Sequence, residues 1–90
     1  MSAYTLRQQW TVLLDRPFFE YLARATQSRA KCLRGAIEKL QQGSIDVVKV
    51  QFDIDPSVYS VWACDVIIVA ACHDSTIVLA DVLVPPPDAL

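Results

Sequence analysis

Positive charge is missing from the second half of the chain. All eight lysine and arginine residues lie at or before Lys49, whereas six of the ten acidic residues lie in residues 50–90. The two parts therefore carry about +4 (8 − 4) and −6 (0 − 6), which sum to the net charge of −2. Nucleic-acid-binding surfaces are normally basic. This composition argues against a free-standing nucleic-acid-binding protein.

Long apolar runs and glycine are also scarce. The longest uninterrupted apolar run, Val66 to Cys72, is far short of the ~18 residues of a membrane helix. The N-terminus, MSAYTLRQQW, has no apolar core of a secretory signal. A chain with 53% hydrophobic residues and two glycines is too apolar for intrinsic disorder. We expect a single cytoplasmic domain over residues 1–90, with no membrane association.

The cysteines offer no recognisable framework. Cys32, Cys64 and Cys72 form an odd set without a CxxC pair, which argues against a disulfide scaffold and favours buried thiols. Cys64, Cys72, His73 and Asp74 could be assembled into a metal site, but structural zinc sites usually take paired ligands at short fixed spacings. We therefore expect no metal and no cofactor.

Hydrophobic periodicity predicts an α+β domain. Residues 4–14 alternate apolar and polar side chains, which indicates a half-buried strand. Apolar spacings of three and four then predict two helices, over 17–25 and 28–42, with one bent helix as the alternative. The first is introduced by the sequence DRP at 15–17, and the second is closed by Gly43.

Strand signals return after Gly43. They predict four strands: Val47–Phe52, Tyr59–Ala63, Val66–Cys72 and Thr76–Val84. The last three should form an antiparallel meander, because the two-residue connection Cys64–Asp65 permits only a hairpin. We expect a sheet of four or five strands, packed on one side by the helical hairpin.

The meander carries a family-like pattern. Tyr59 begins its first strand, Asp65 occupies the tight turn, Asp74 lies in an acidic turn, and TIVLADV at 76–82 forms the last strand. Together with SRAKCLRGAIEKLQQG at 28–43, this pattern resembles the RelE/ParE superfamily of bacterial toxins over about residues 3–84. The resemblance implies a β-α-α-β-β-β-β fold and a role in a toxin–antitoxin system.

The chain departs from that family where ribonuclease members carry basic or catalytic residues. The matching positions are all uncharged: Ser60, Trp62, Ile67, Ala71, Val84 and Pro85. RNA cleavage by 2′-hydroxyl attack needs a base, an acid and positive charge near the phosphate. The resemblance therefore implies a protein-binding member without catalytic residues. Two alternatives remain: a ribosome-dependent mRNA interferase with helix-borne basic residues, and an unrelated small homo-oligomeric domain.

Six residues are candidates for contact with an antitoxin-like protein or a second copy in a homodimer. Trp62, with Ser60 and Ile67 beside it, could mark an interface or belong to the core, whereas Trp10 fits the core. Three more candidates lie on the helices: Arg24, Lys31 and Arg34. These basic residues also fit an ordinary solvated helix surface, and Glu20 precedes Arg24 at the spacing of a helical ion pair.

Overall fold

Two helices pack on one face of a six-stranded sheet in the computed structural model, which describes residues 4–49 and 58–84. The elements are β1 (Tyr4–Leu6), β2 (Thr11–Leu14), α1 (Arg16–Arg24), α2 (Gln27–Gln42), β3 (Val47–Lys49), β4 (Val58–Ala63), β5 (Val66–His73) and β6 (Thr76–Leu83). The strand order is β1-β3-β4-β5-β6-β2, and every pair except β2–β6 is antiparallel. The α+β class and the antiparallel meander are confirmed.

Parts of the prediction fall outside this description. The turn predicted at 53–57 and the end of the strand predicted at 47–52 lie outside the described residues. Within residues 4–49 and 58–84, no helix combines the length and apolar character needed to cross a bilayer.

The predicted N-terminal strand is two strands at opposite edges of the sheet. β1 pairs with β3, whereas β2 pairs with β6. Between them the backbone leaves the sheet, and the Trp10 N–H donates to the Leu40 carbonyl at the end of α2 (3.1 Å). The prediction of one continuous strand, and of four or five strands in all, is therefore wrong: the described sheet has six.

The link between β1 and β2 is too short for a flat sheet. Six strands at ~4.8 Å spacing would separate the two edges by about 24 Å, whereas the five steps from Leu6 to Thr11 span at most about 18 Å. The sheet must therefore curl until its edges approach each other. The link contacts α2, so the curl encloses the helices and leaves the other face convex.

Local caps define the helices. The Asp15 carboxylate accepts from the Arg16 N–H (2.9 Å) at the start of α1, and the Thr26 hydroxyl accepts from the Arg29 N–H (3.2 Å) at the start of α2. Gly43, in a left-handed conformation (φ 74°), ends α2. Two helices are confirmed, each within one residue of its predicted bounds.

The core lies between the helices and the concave face of the sheet, which we call the inner face. Phe18 of α1 and Leu33 and Leu40 of α2 are fully buried, as are Ile68 and Leu79 on the sheet. The same cluster includes Trp10, Val47, Tyr59, Val61, Val66, Ala70 and Ile77. The helical hairpin thus covers one side of the sheet, as predicted.

A disulfide joins Cys32 of α2 to Cys64 in the β4–β5 turn, with the two Cα atoms 6.0 Å apart. The expectation of free, buried thiols is wrong for this pair. Its physical reason is tertiary: the curled sheet brings the turn beside α2, although 32 residues separate the cysteines in sequence. Cys72 remains a thiol, and its partial burial raises its pKa to about 11.

Gly43 should tolerate no side chain. Besides its positive φ, a Cβ there would lie 3.1 Å from backbone atoms of Gln8 and Gln9. We expect Gly43→Ala to lower the free energy of unfolding by more than the roughly 1 kcal/mol of left-handed strain alone. Gly35→Ala is the matched control, because that Cβ would meet nothing within 4 Å and alanine favours a helix interior. Urea titration of both variants measures the difference; an equally stable Gly43→Ala would contradict it.

The disulfide should be a major source of stability. Closing a loop between residues 32 residues apart restricts the unfolded chain and is worth about 2–4 kcal/mol. We expect Cys32→Ala/Cys64→Ala to lose that amount in urea unfolding, and a reductant to have the same effect on the parent protein. Cys72→Ala should retain the response to reductant. A parent protein equally stable with and without reductant would refute this expectation.

Candidate functional site

The convex face of the sheet, opposite the helices, is almost entirely apolar. Residues directly opposite each other in the strand register point to the same face, so the pairs Ser60–Val69, Trp62–Ile67 and Val58–Ala71 share it. We call this surface the outer face and define it by ten residues: Leu13, Val48, Val58, Ser60, Trp62, Ile67, Val69, Ala71, Val78 and Leu83. None of the ten is charged, and the ionisable residues that share the face by the same register, Asp81 opposite Val69 and His73 opposite Thr76, lie at its edges.

The outer face brings together positions that lie apart in the sequence. Ser60, Trp62, Ile67 and Ala71 are four of the six uncharged positions named in the sequence analysis, and all four lie on it. Val84 follows β6, and Pro85 lies outside the described residues. Most of these uncharged positions therefore lie on one surface.

Trp62 projects from this surface, with 61% of its area exposed. It lies beside Ile67 in the register, and Ile67 lies beside Leu83, which is 53% exposed. Ser60, between Val48 and Val69 in the register, is only 8% exposed. Trp62 is thus a surface residue, whereas Trp10, at 4%, belongs to the core as expected. Exposed tryptophans are typical anchors of protein interfaces.

Negative charge lies at the border of the outer face. Asp81 is opposite Val69, where the β5–β6 register shifts, and it also lines a cleft against α1. Asp65 is exposed in the β4–β5 turn. In the described part of the sheet, Lys49 is the only lysine or arginine; it is opposite Tyr59 on the inner face, with its Nζ 6.0 Å from that ring.

The three basic candidates lie elsewhere. Arg24 ends α1, and Lys31 and Arg34 are exposed on α2. Because the helices pack on the inner face, these residues lie on the other side of the sheet from the outer face, although the Cys32–Cys64 disulfide brings the part of α2 next to Lys31 close to the turn that follows Trp62. The six predicted partner-binding residues therefore form two surfaces, an apolar one on the sheet and a basic one on the helices.

A cleft of about 640 Å³ opens where α1, the start of α2 and β6 meet. Within it, Arg29 Nη1 donates to the Tyr21 hydroxyl (3.0 Å). Glu20 pairs with Arg16 (3.4 Å) and not with Arg24 as its spacing suggested. Arg24 therefore faces the cleft without a carboxylate partner among the described residues. The remaining lining residues are Pro17, Ala25, Thr26 and Asp81.

The residues considered for a metal site do not converge. Cys64 is in the disulfide at one end of β5, whereas His73 and Asp74 lie at the other, with a His73 Nε2 to Asp74 Oδ2 distance of 3.4 Å. Across the described parts of the chain, no group of three His, Cys, Asp or Glu side chains could hold a metal ion.

Sequence reasoning missed two features of these surfaces. Tyr21 was not a candidate, because only the fold brings it to Arg29 from a separate helix. Leu83 reads as part of an ordinary strand, and only the register aligns it with Ile67 and Trp62. Comparison with protein-family models, curated proteins and solved structures found no match.

The two tryptophans should differ sharply in their effect on stability. Trp10→Ala should cost about 3–5 kcal/mol because it empties a buried site. Trp62→Ala should change the free energy of unfolding by less than about 1 kcal/mol, since most of that ring is in solvent. Urea unfolding at low micromolar concentration, where association contributes least, is the measurement. A costly Trp62→Ala would show that the ring is covered within the monomer.

Proposed function

We propose that this chain is a RelE/ParE-like member of a bacterial toxin–antitoxin system that acts by binding protein and has no ribonuclease activity. The observation that carries the proposal is the composition of the outer face. It presents an exposed tryptophan among apolar side chains, with no lysine or arginine among its defining residues. Exposed apolar patches on small domains mark contact surfaces.

The same surface argues against RNA as its ligand. An RNA backbone requires positive charge to replace its counterions, and a pentavalent phosphate transition state requires still more. At Ser60, Trp62, Ile67 and Ala71 the chain supplies neither charge nor a general acid or base. The resemblance to the toxin superfamily that supports this proposal thus rests on the helical hairpin and the meander pattern, and it does not include the catalytic chemistry.

The cleft supports one competing function. Arg24, Arg29 and Tyr21 bring positive charge and a hydroxyl together on the helices, which is the arrangement that an interferase with helix-borne catalytic residues would need. Against it, Asp81 and Glu20 line the same cleft and would repel a phosphate. We therefore favour protein binding.

Translating ribosomes provide the first test. The purified protein, at stoichiometric amounts, should leave messenger RNA intact, because the outer face cannot stabilise the reaction. Codon-dependent cleavage that disappears in Arg29→Gln or Tyr21→Phe would overturn the proposal in favour of the interferase. A catalytically active family member is the positive control.

Co-expression with the product of the adjacent gene provides a second test of the proposed function. We expect the two proteins to co-purify in fixed stoichiometry, and Trp62→Glu to abolish this, because a carboxylate would be buried in an apolar contact. Phe19→Glu is the matched control: Phe19 is also an exposed aromatic residue (57%), but it lies on α1. Equal loss in both variants, or in neither, would exclude the outer face as the binding surface.

The proposed function implies a cytoplasmic location, which bears on the disulfide. Disulfides of cytosolic proteins are usually transient, since glutathione and thioredoxin keep thiols reduced. On this proposal, Cys32 and Cys64 are thiols in unstressed cells and pair under oxidising conditions. Alkylation of the protein in freshly quenched cells, followed by mass spectrometry, reports the state directly.

A further inference from the structure

The side chains of the outer face differ in size along the strands, and this difference favours one partner in one orientation. We propose that the outer face packs against the outer face of a second copy, about a two-fold axis that runs across the strands near Val69. The inference rests on the proposed protein-binding role of this surface, and it adds the identity of one occupant and the orientation in which it binds.

The three meander strands form rows of unequal height. At the end nearest the β4–β5 turn, the bulky row is Trp62, Ile67 and Leu83. At the opposite end, the row of smaller side chains is Val58, Ala71 and Val78. The row between them includes Ser60 and Val69. The surface thus falls from a ridge containing a 61% exposed tryptophan to a shallow floor centred on Ala71.

With a two-fold axis across the strands, the outer faces of the two copies have complementary shapes. Rotation about an axis through the middle row places the bulky row of one copy over the smaller row of the other, and the contact occurs twice because the interface is isologous. On β5, Ile67 then lies over Ala71 of the second copy. An axis along the strands would instead set the two Trp62 ridges against each other and leave the floors empty.

Charge and area are compatible with self-association. None of the ten residues that define the outer face is charged, but Asp81, opposite Val69, lies at the β6 end of the middle row. The rotation therefore brings the two Asp81 side chains close together at the rim, where their repulsion opposes association and is screened by salt. Three strands of six to eight residues present a projected patch of roughly 20 by 14 Å. Two such patches bury on the order of 1,000 Å² of total surface, the lower limit of specific interfaces, which predicts a dissociable dimer.

Sedimentation equilibrium with volume swaps on β5 tests the geometry. The parent should dimerise at tens of micromolar. Ile67→Ala leaves a gap and Ala71→Ile creates a collision, so each should weaken dimerisation at least tenfold. Ile67→Ala/Ala71→Ile exchanges the volumes between facing positions and should restore the parental dissociation constant to within about threefold. Both positions lie on the exposed side of the sheet, and circular dichroism verifies the fold of each variant.

Each other outcome counts against the inference. If Ala71→Ile strengthens the dimer, or the double variant is not restored, the copies do not meet in this orientation. A monomer at these concentrations excludes the second copy as occupant; co-purification with the adjacent gene product that still depends on Trp62 would leave the proposed function standing. A dimer that shows the predicted swap behaviour, without co-purification of the adjacent gene product, would support self-association and contradict the proposed antitoxin-like partner.

Discussion

The architecture depends on the short connection between β1 and β2. Four residues, 7–10, join strands at opposite edges of a six-stranded sheet, so the sheet has to wrap around the helices. The wrapping creates one enclosed core, into which the same connection inserts Trp10. It also explains why a side chain at Gly43 is disfavoured, since the backbone of Gln8 and Gln9 passes close to the end of α2.

Wrapping divides the surface into two chemically different sides. The helices cover only the inner face, and they carry most of the basic residues, including Arg24, Lys31 and Arg34. The meander, which has no lysine or arginine, forms the convex side around Trp62. The uneven distribution of charge along the sequence therefore becomes a separation in space, and the apolar side lacks the charge that recognition of RNA would require.

Features encoded by neighbouring residues could be predicted, and features set by distant contacts could not. Asp15 and Gly43 act within one turn of their helices, and the two-residue turn at Cys64 allows only a hairpin, so helix bounds and meander followed from local pattern. The alternation of apolar and polar residues through 4–14 predicts which side chains are buried, but it does not predict which strand each part pairs with. The first part pairs with β3 and the second with β6. No local pattern in the sequence predicts that Cys32 forms a disulfide with Cys64, or whether Trp62 lies on the inner or the outer face of the sheet.

The disulfide also has a consequence for proteolysis. Cys32 and Cys64 bracket β3 and the segment that leads to β4. A protease that cuts the backbone once between them produces two fragments that stay covalently joined. One fragment retains α1 and at least the start of α2, and the other retains β5 and β6, and core residues are contributed by both fragments. A nicked molecule would therefore keep its size on a non-reducing gel and separate into two bands only after reduction.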